Sequence, residues 1–228
     1  MTEATLPLAP PGESTLHTSD AFRVLDVWRM TAWLAAYPLV TLVSADDGRH
    51  PRSSVAPLIL RTAPNQVRLF SHLDRRNPQA AHAIAGRPFL VVAQGPRSYV
   101  SPGWFPRRPA APTYLHITVH VQCVPEVIEA ADAEQVLLDT VAALERKRDR
   151  WEFDGGARYL AGMSKGITAF ELHVRGIEAA CKLSQKRDVT EQEAIAARLE
   201  QSDMSDDRAI AALIREALGA EAIARAGN

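Results

Sequence analysis

The hydrophobic pattern changes character near residue 125. Before it, apolar residues come in short runs broken by turn-formers, the pattern of β-strands. Leu39-Val40-Thr41-Leu42-Val43 reads as a strand, Asp46-Asp47-Gly48 as a hairpin-type turn, and residues 53–60 as the return strand, where Pro57 favours an edge or a bulge. Ala63-Pro64-Asn65 is a second turn leading into a strand over 67–72. Asn77-Pro78 opens a short helix through His82 and Ile84, and 89–93 (FLVVA) is a buried strand. Residues 95–112 read as a long loop rich in proline and arginine, and 113–124 as a long strand. Ahead of all these, Asp20 can cap a helix over 21–36, with Phe22, Leu25, Val27, Trp28 and Leu34 on its partly periodic face and Pro38 ending it.

Beyond Pro125 the spacing becomes helical. Asp132 and Gln135 form a capping box for a helix to about Lys147, with Val136, Leu137, Val141 and Leu144 on one face. Residues 151–163 predict a short helix. Residues 167–174 alternate as a strand, Glu171 facing solvent, and 180–183 predict another short strand. Thr190 and Glu193 form a second capping box, with helices over 190–200 and 206–219. Six or seven short strands with few helices among the first five predict a mainly β fold, a small antiparallel barrel with peripheral helices and not a Rossmann sheet. The expected organisation is a flexible arm over 1–19, a cofactor-binding domain over 20–185 with a helical insertion at 132–163, and a helical segment over 186–228.

Composition narrows the function. Of 228 residues, 46% are hydrophobic and 23% charged, ordinary for a soluble globular chain with a real core. A net charge of -1 and a pI near 6.7 build no basic field, and no helix-turn-helix signature appears, so DNA is not an expected partner. No apolar run approaches a membrane span, and the first residues lack the pattern of a signal peptide. Cys123 and Cys181 each sit in an expected strand and read as buried thiols, which points to the cytoplasm. There is no GxGxxG after a strand, no phosphate-binding P-loop and no nucleophile elbow.

Chemistry concentrates at 67–78, VRLFSHLDRRNP. An apolar strand delivers His72 beside Asp74-Arg75-Arg76. The imidazole could ligate a metal such as haem iron, donate to a flavin ring, or be an ordinary structural histidine. Arg75 and Arg76 could grip a flavin phosphate or haem propionates, or form a solvated turn. In the loop 95–112, Tyr99, Trp104 and Phe105 are too apolar for disorder and suit packing against a ring or a partner subunit, while Arg107-Arg108 reads as solvated. His116 and His120 share a strand face, with His116 the more exposed, and do not make a zinc site. Lys182, after an apolar strand, could meet a carboxylate or phosphate, or lie at the surface.

These residues carry a resemblance to the PaiB-like family, the FMN-binding negative-regulator type. The family's Gly-His-Met-x-Arg-x-Asn-Pro segment stands as Ser71-His72-Leu73-Asp74-Arg75-Arg76-Asn77-Pro78. Its Gly-Pro-x-x-Tyr-x-Ser-Pro segment stands as Gly95-Pro96-Arg97-Ser98-Tyr99-Val100-Ser101-Pro102, and Lys182-Leu183-Ser184-Gln185 is intact. Pro112-Thr113-Tyr114-Leu115 and Val119-His120 stand for Pro-Thr-Trp-Asn and Val-His. The resemblance implies a split β-barrel of the pyridoxamine-phosphate-oxidase type and a homodimer with cofactor sites near its interface. It leaves the cofactor open between FMN and haem. Some relatives resemble haem enzymes that close an N–N bond in an N-hydroxylated ornithine, with the residue matching His72 as axial ligand. On that pattern His72, Arg75, Arg76, Tyr99, Ser101, Trp104, Lys182 and Gln185 would bind cofactor, and His72, Tyr114, His116 and Lys182 would serve chemistry on a small nitrogen-containing substrate. Haem b is favoured over FMN because His72 is retained while the pocket is remodelled. A flavin oxidoreductase and a non-catalytic ligand-binding regulator are the alternatives. The departures are Ser54-Val55-Ala56-Pro57 for Thr-His-x-Pro, Tyr114-Leu115 for Trp-Asn, Ser71 for Gly, and Cys123 for the glycine after the Val-His strand.

Overall fold

A computed structural model describes residues 6–10, 12–46, 50–63, 66–105, 109–145 and 154–226. Its strands are β1 (Arg23–Val24), β2 (Leu39–Asp46), β3 (His50–Pro57), β4 (Ile59–Ala63), β5 (Gln66–Asp74), β6 (Phe89–Val100), β7 (Thr113–Val127) and β8 (Ile167–Lys182). Its helices are α1 (Val27–Ala36), α2 (Ala80–Ile84), α3 (Ala130–Glu145), α4 (Gly156–Lys165), α5 (Val189–Glu200) and α6 (Ser205–Ala226). The strands run in the order β3-β2-β6-β7-β8-β5-β4, with β1 pairing on β8. The β2–β3, β2–β6, β4–β5, β5–β8 and β1–β8 pairs are antiparallel. The fold is therefore mainly antiparallel β with peripheral helices. None of the described helices is long and apolar enough to cross a membrane.

The chain forms two compact units, one from Met1–Thr15, Leu25–Ala93 and Val119–Glu178, the other from Leu16–Val24, Gln94–Thr118 and Ala179–Asn228. In the first, α3 lays Ala133, Val136 and Leu137 toward the sheet, and Val136 packs with Ile59 and Phe70. Truncating such a buried aromatic costs about 3–5 kcal/mol. In the second, α5 and α6 bury Ile195, Ala196, Leu199, Ile210, Ala211 and Ile214.

Several boundaries differ from the sequence reading, each for a local reason. Asp26, not Asp20, caps α1, its carboxylate accepting from the Arg29 N–H at 3.1 Å, while 20–24 forms a short 3-10 turn and then β1. The return strand breaks at Leu58, whose N–H donates to Pro38 O, so β3 and β4 are separate strands that stand at opposite ends of the strand order. β6 runs on to Val100, so the first part of the expected loop is strand. Asp132 lies in the first turn of α3 and does not cap it. Asp188 caps α5, accepting from the Glu191 N–H at 2.9 Å, in place of the Thr190–Glu193 box. The two short strands expected over 167–183 are one strand, β8. Parts of both hairpin turns, Arg107, Arg108 and the start of the expected 151–163 helix lie outside the described residues.

Residues 6–10 and 12–15, expected to be flexible, are docked on β8. Leu8 bridges Ile177 in parallel, Ala9 N–H donates to Ile177 O at 3.0 Å, and Ile177 N–H donates to Pro7 O at 2.8 Å. The buried Glu178 carboxylate then accepts from the Ser14 hydroxyl (2.6 Å), the Thr15 N–H (2.7 Å) and the Thr15 hydroxyl (2.8 Å).

Candidate functional site

Alternation along β5 puts Arg68, Phe70 and His72 on one face of the sheet. Helices α3 and α4 cover that face. Past Phe70, His72 lines a cavity of about 220 Å³ walled by Leu137, Leu138, Thr140 and Val141 of α3 and by Leu160 and Met163 of α4. Across the ladder His72 is paired with Ala169, whose small side chain leaves room beside the ring. The His72 Nδ1 is buried with no hydrogen-bond partner among the described residues. Leaving a buried polar atom unpaired costs about 1–3 kcal/mol, a penalty that a group bound in the cavity would relieve. Burial also pushes the His72 pKa below its ordinary 6.5. The ring is thus neutral at pH 7, with one nitrogen lone pair able to accept a proton or a metal.

The two arginines after His72 behave differently. Arg76 folds onto Asp74, its backbone N–H and its guanidinium both donating to that carboxylate, at 2.8 Å, 3.0 Å and 2.8 Å. That contact holds the exposed Asp74 down at about 2. Arg75 donates its N–H to Gly166 O at 2.9 Å and its Nη2 to Ile167 O at 3.2 Å. It lines a second cavity, of about 230 Å³, with Ile128, Ala133, Ser164, Thr168 and Ala169 among the other walls.

The turn that carries these arginines is fixed through Gln79 and Ser44, which the sequence reading did not single out, together with Asn77, His82 and Ser54. Gln79 is buried, and its Nε2 donates to Leu42 O (3.1 Å), Ser44 Oγ (2.9 Å) and Arg52 O (3.3 Å). Ser44 Oγ also shares a hydrogen bond with His82 Nδ1 at 2.9 Å. Asn77 donates to Ser54 Oγ at 2.8 Å and accepts from the Gln79 N–H at 2.9 Å. The turn is thereby pinned to β2 and β3. A buried glutamine just after Asn-Pro is a weak signal in one sequence. Glu171, read as solvent-facing, instead forms an ion pair with Arg68 and is mostly covered.

The remaining candidates belong to the second unit. Tyr99 and Tyr114 are both exposed and meet edge-to-face, with centroids 5.5 Å apart. Lys182 Nζ donates to Thr113 Oγ1 at 2.6 Å and stands 5.6 Å from the Phe22 ring centroid. Burial, and secondarily the Lys182 charge, lower the His116 pKa, so His116 and Lys182 act on each other. A hydroxyl, a cation and a partly buried neutral imidazole are thus brought together, beside an aromatic pair. Ser101 Oγ accepts from the Gly103 N–H at 3.2 Å and caps the 3-10 turn Pro102–Trp104. Trp104 stacks under the Arg198 guanidinium at 5.9 Å. Gln185 folds back on its own segment, accepting from the Leu183 N–H at 2.7 Å and donating to Cys181 O. Ser101 and Gln185 shape the backbone here.

Among the described residues no group of three or more His, Cys, Asp and Glu side chains could hold a metal ion. Cys123 and Cys181 are both buried thiols outside any disulfide, and burial pushes the Cys123 thiol up to about 12.

Known proteins share this architecture and sequence. The family described as "Putative FMN-binding domain" matches residues 16–176, well over half of the chain. The chain is 27% identical over 181 residues to the protease synthase and sporulation protein PAI 2 of Bacillus subtilis, covering 78% of this chain and 86% of that one. The flavocytochrome Anf3 from Azotobacter vinelandii has a similar fold, with a TM-score of 0.59 at 16% identity over 82% of each chain. So does the FAD and haem binding protein from Mycobacterium smegmatis, with a TM-score of 0.53 at 17% identity over 75% of this chain and 78% of that one. The chain belongs to the PaiB-like family built on the FMN-binding split-barrel domain.

Proposed function

We propose that this protein is a haem-binding member of its family, with His72 as the axial ligand and a small N-hydroxylated amine as substrate. The observation that carries the reading is the His72 imidazole: half-buried, neutral, with a buried Nδ1 that has no partner among the described residues, and set at an apolar cavity. Haem needs only one protein donor, and a neutral imidazole in apolar surroundings is a suitable one. When bound, haem would supply a Lewis-acidic iron with one open position, suited to polarising an N–O bond. The protein's part is to hold a ring nitrogen unprotonated and to keep water from it with Leu137, Leu138, Val141, Leu160 and Met163. Two structural neighbours named for haem or cytochrome character support the reading. N–N ring closure is the finer proposal and rests on the family resemblance alone.

The test is titration of the purified protein with hemin, followed by its Soret band. Wild type is expected to take up one equivalent, and His72→Ala to lose the ligated spectrum. Uptake with an unchanged spectrum in His72→Ala would sink the proposal. A loaded protein that leaves N-hydroxyornithine unconsumed would remove the N–N step while keeping the haem.

A flavin reading is favoured by the family description and by the second unit. Lys182 with Thr113 could meet a phosphate, and the Tyr99–Tyr114 pair could stack on a ring. Flavin absorption in the purified protein, retained in His72→Ala and lost in Lys182→Ala, is the outcome that selects it.

A further inference from the structure

We infer that the Arg75 cavity is the anionic end of the His72 site, receiving a carboxylate of the same group whose apolar body lies against His72. This rests on the haem reading of His72 and adds an orientation to it. The cavities, of about 220 and 230 Å³, have no lining residue in common but draw their walls from the same elements, the β5–β8 pair, α3 and α4. Ala169, which lines the Arg75 cavity, is the ladder partner of His72. Ala133 of the one and Leu137 of the other lie one helical turn apart on α3. Met163 and Ser164, one in each lining, are consecutive on α4. Neither space alone reaches the roughly 300 Å³ at which ligand pockets begin, and on this inference a group of cofactor size uses both.

The chemistry differs between the two ends. The His72 cavity is apolar apart from the imidazole and Thr140. The other carries the Arg75 guanidinium, of whose five donors one is used among the described residues, on Ile167 O. The Thr168 hydroxyl, in the same lining, makes no hydrogen bond among the described residues. The Ser164 hydroxyl is committed to Ala161 O at 3.1 Å. The nearest carboxylate in sequence, Asp74, is engaged by Arg76, so it does not compete for Arg75. A planar fork with free donors beside an uncommitted hydroxyl suits a carboxylate better than a neutral group. The geometry therefore gives the two arginines separate tasks. Arg76 closes the turn, and Arg75 binds.

The experiment compares hemin with its dimethyl ester, which has the same ring without the carboxylates, by equilibrium titration of the full chain. Wild type should prefer the diacid by about tenfold, as expected for a partly exposed charge-assisted contact. Arg75→Leu should bring that preference close to one, Arg75→Lys should keep part of it, and Arg76→Leu should leave it intact. His72→Ala should lose the ligated Soret band but keep the diacid preference, read by quenching of tryptophan fluorescence. Equal binding of diacid and ester by wild type overturns the inference, as does an Arg75→Leu protein that keeps the full preference. Those results leave the haem reading standing if the Soret band still depends on His72. No His72-dependent band in wild type overturns both.

Discussion

At the scale of single residues, His72 is decided by what surrounds it. A histidine at a strand end is usually solvated, but the Nδ1 of this one is buried beside α3 and α4 with no partner among the described residues. Its lowered pKa has a definite sign for stability: the neutral ring contributes above the ordinary 6.5, and the contribution is lost as pH falls through the lower folded value. Ligand binding by the ring should follow the same window, and hemin affinity should fall on acidification, earlier in wild type than in a variant already lacking His72. Gln79 is the residue whose loss should be felt most in the turn. Gln79→Ala removes the amide from which Leu42 O, Ser44 Oγ and Arg52 O accept and should cost about 1 kcal/mol. A lower urea midpoint with an unchanged slope would show this, and an unchanged midpoint would mean that the network is not holding the turn. Cys123 and Cys181 should react with a thiol reagent only on unfolding, and rapid labelling of the native protein would contradict their burial.

At the scale of elements, the N-terminal strap gives the sharpest prediction. Gly176 is where Ala9 crosses β8, and an added Cβ would lie 2.6 Å from the Ala9 Cα. Gly176→Ala should therefore release the strap and speed proteolysis before residue 15, while the sheet's circular dichroism stays the same. Equal cleavage rates in variant and wild type would refute this. Acid should release it too. Glu178 titrates below its ordinary 4.5, and its hold is present above that value and lost as pH falls through the folded one. His120, bonded to the Thr15 hydroxyl, is held neutral by burial, and its contribution is lost in the same direction, below 6.5. The same glycine shows why the sequence was only partly legible. Gly176 looks like a break between two short strands, and a proline-rich start looks like a loose arm, because the contact joining them spans most of the chain. The strand carrying His72 was readable because its alternation is local. So was the character of Arg75, but not its separation from Arg76, which depends on a short contact to Asp74. The walls of the His72 cavity were legible only as amphipathic helices, since what they cover is set by tertiary packing. Residues 95–100 read as loop because Gly95 and Pro96 are turn-formers, whereas pairing within the sheet keeps them extended.

At the scale of the whole molecule, the net charge is -1 and the architecture is mainly β. The family resemblance implies a homodimer. Leu39 and Val55 lie on one face of the β2–β3 pair, 68% and 66% exposed, and that face is suited to a second copy. Sedimentation equilibrium should give a dimer that Val55→Glu weakens, and a monomer at all concentrations would refute the pairing. The central claim, that His72 is the protein's single bond to a haem iron, is tested most directly by cavity rescue. His72→Gly is loaded with hemin, and its absorption spectrum is recorded before and after adding free imidazole. The expected result is a spectrum unlike wild type in the variant, restored toward wild type by imidazole. A His72→Gly spectrum identical to wild type without imidazole would contradict the claim, as would a wild-type protein that carries flavin and takes up no haem.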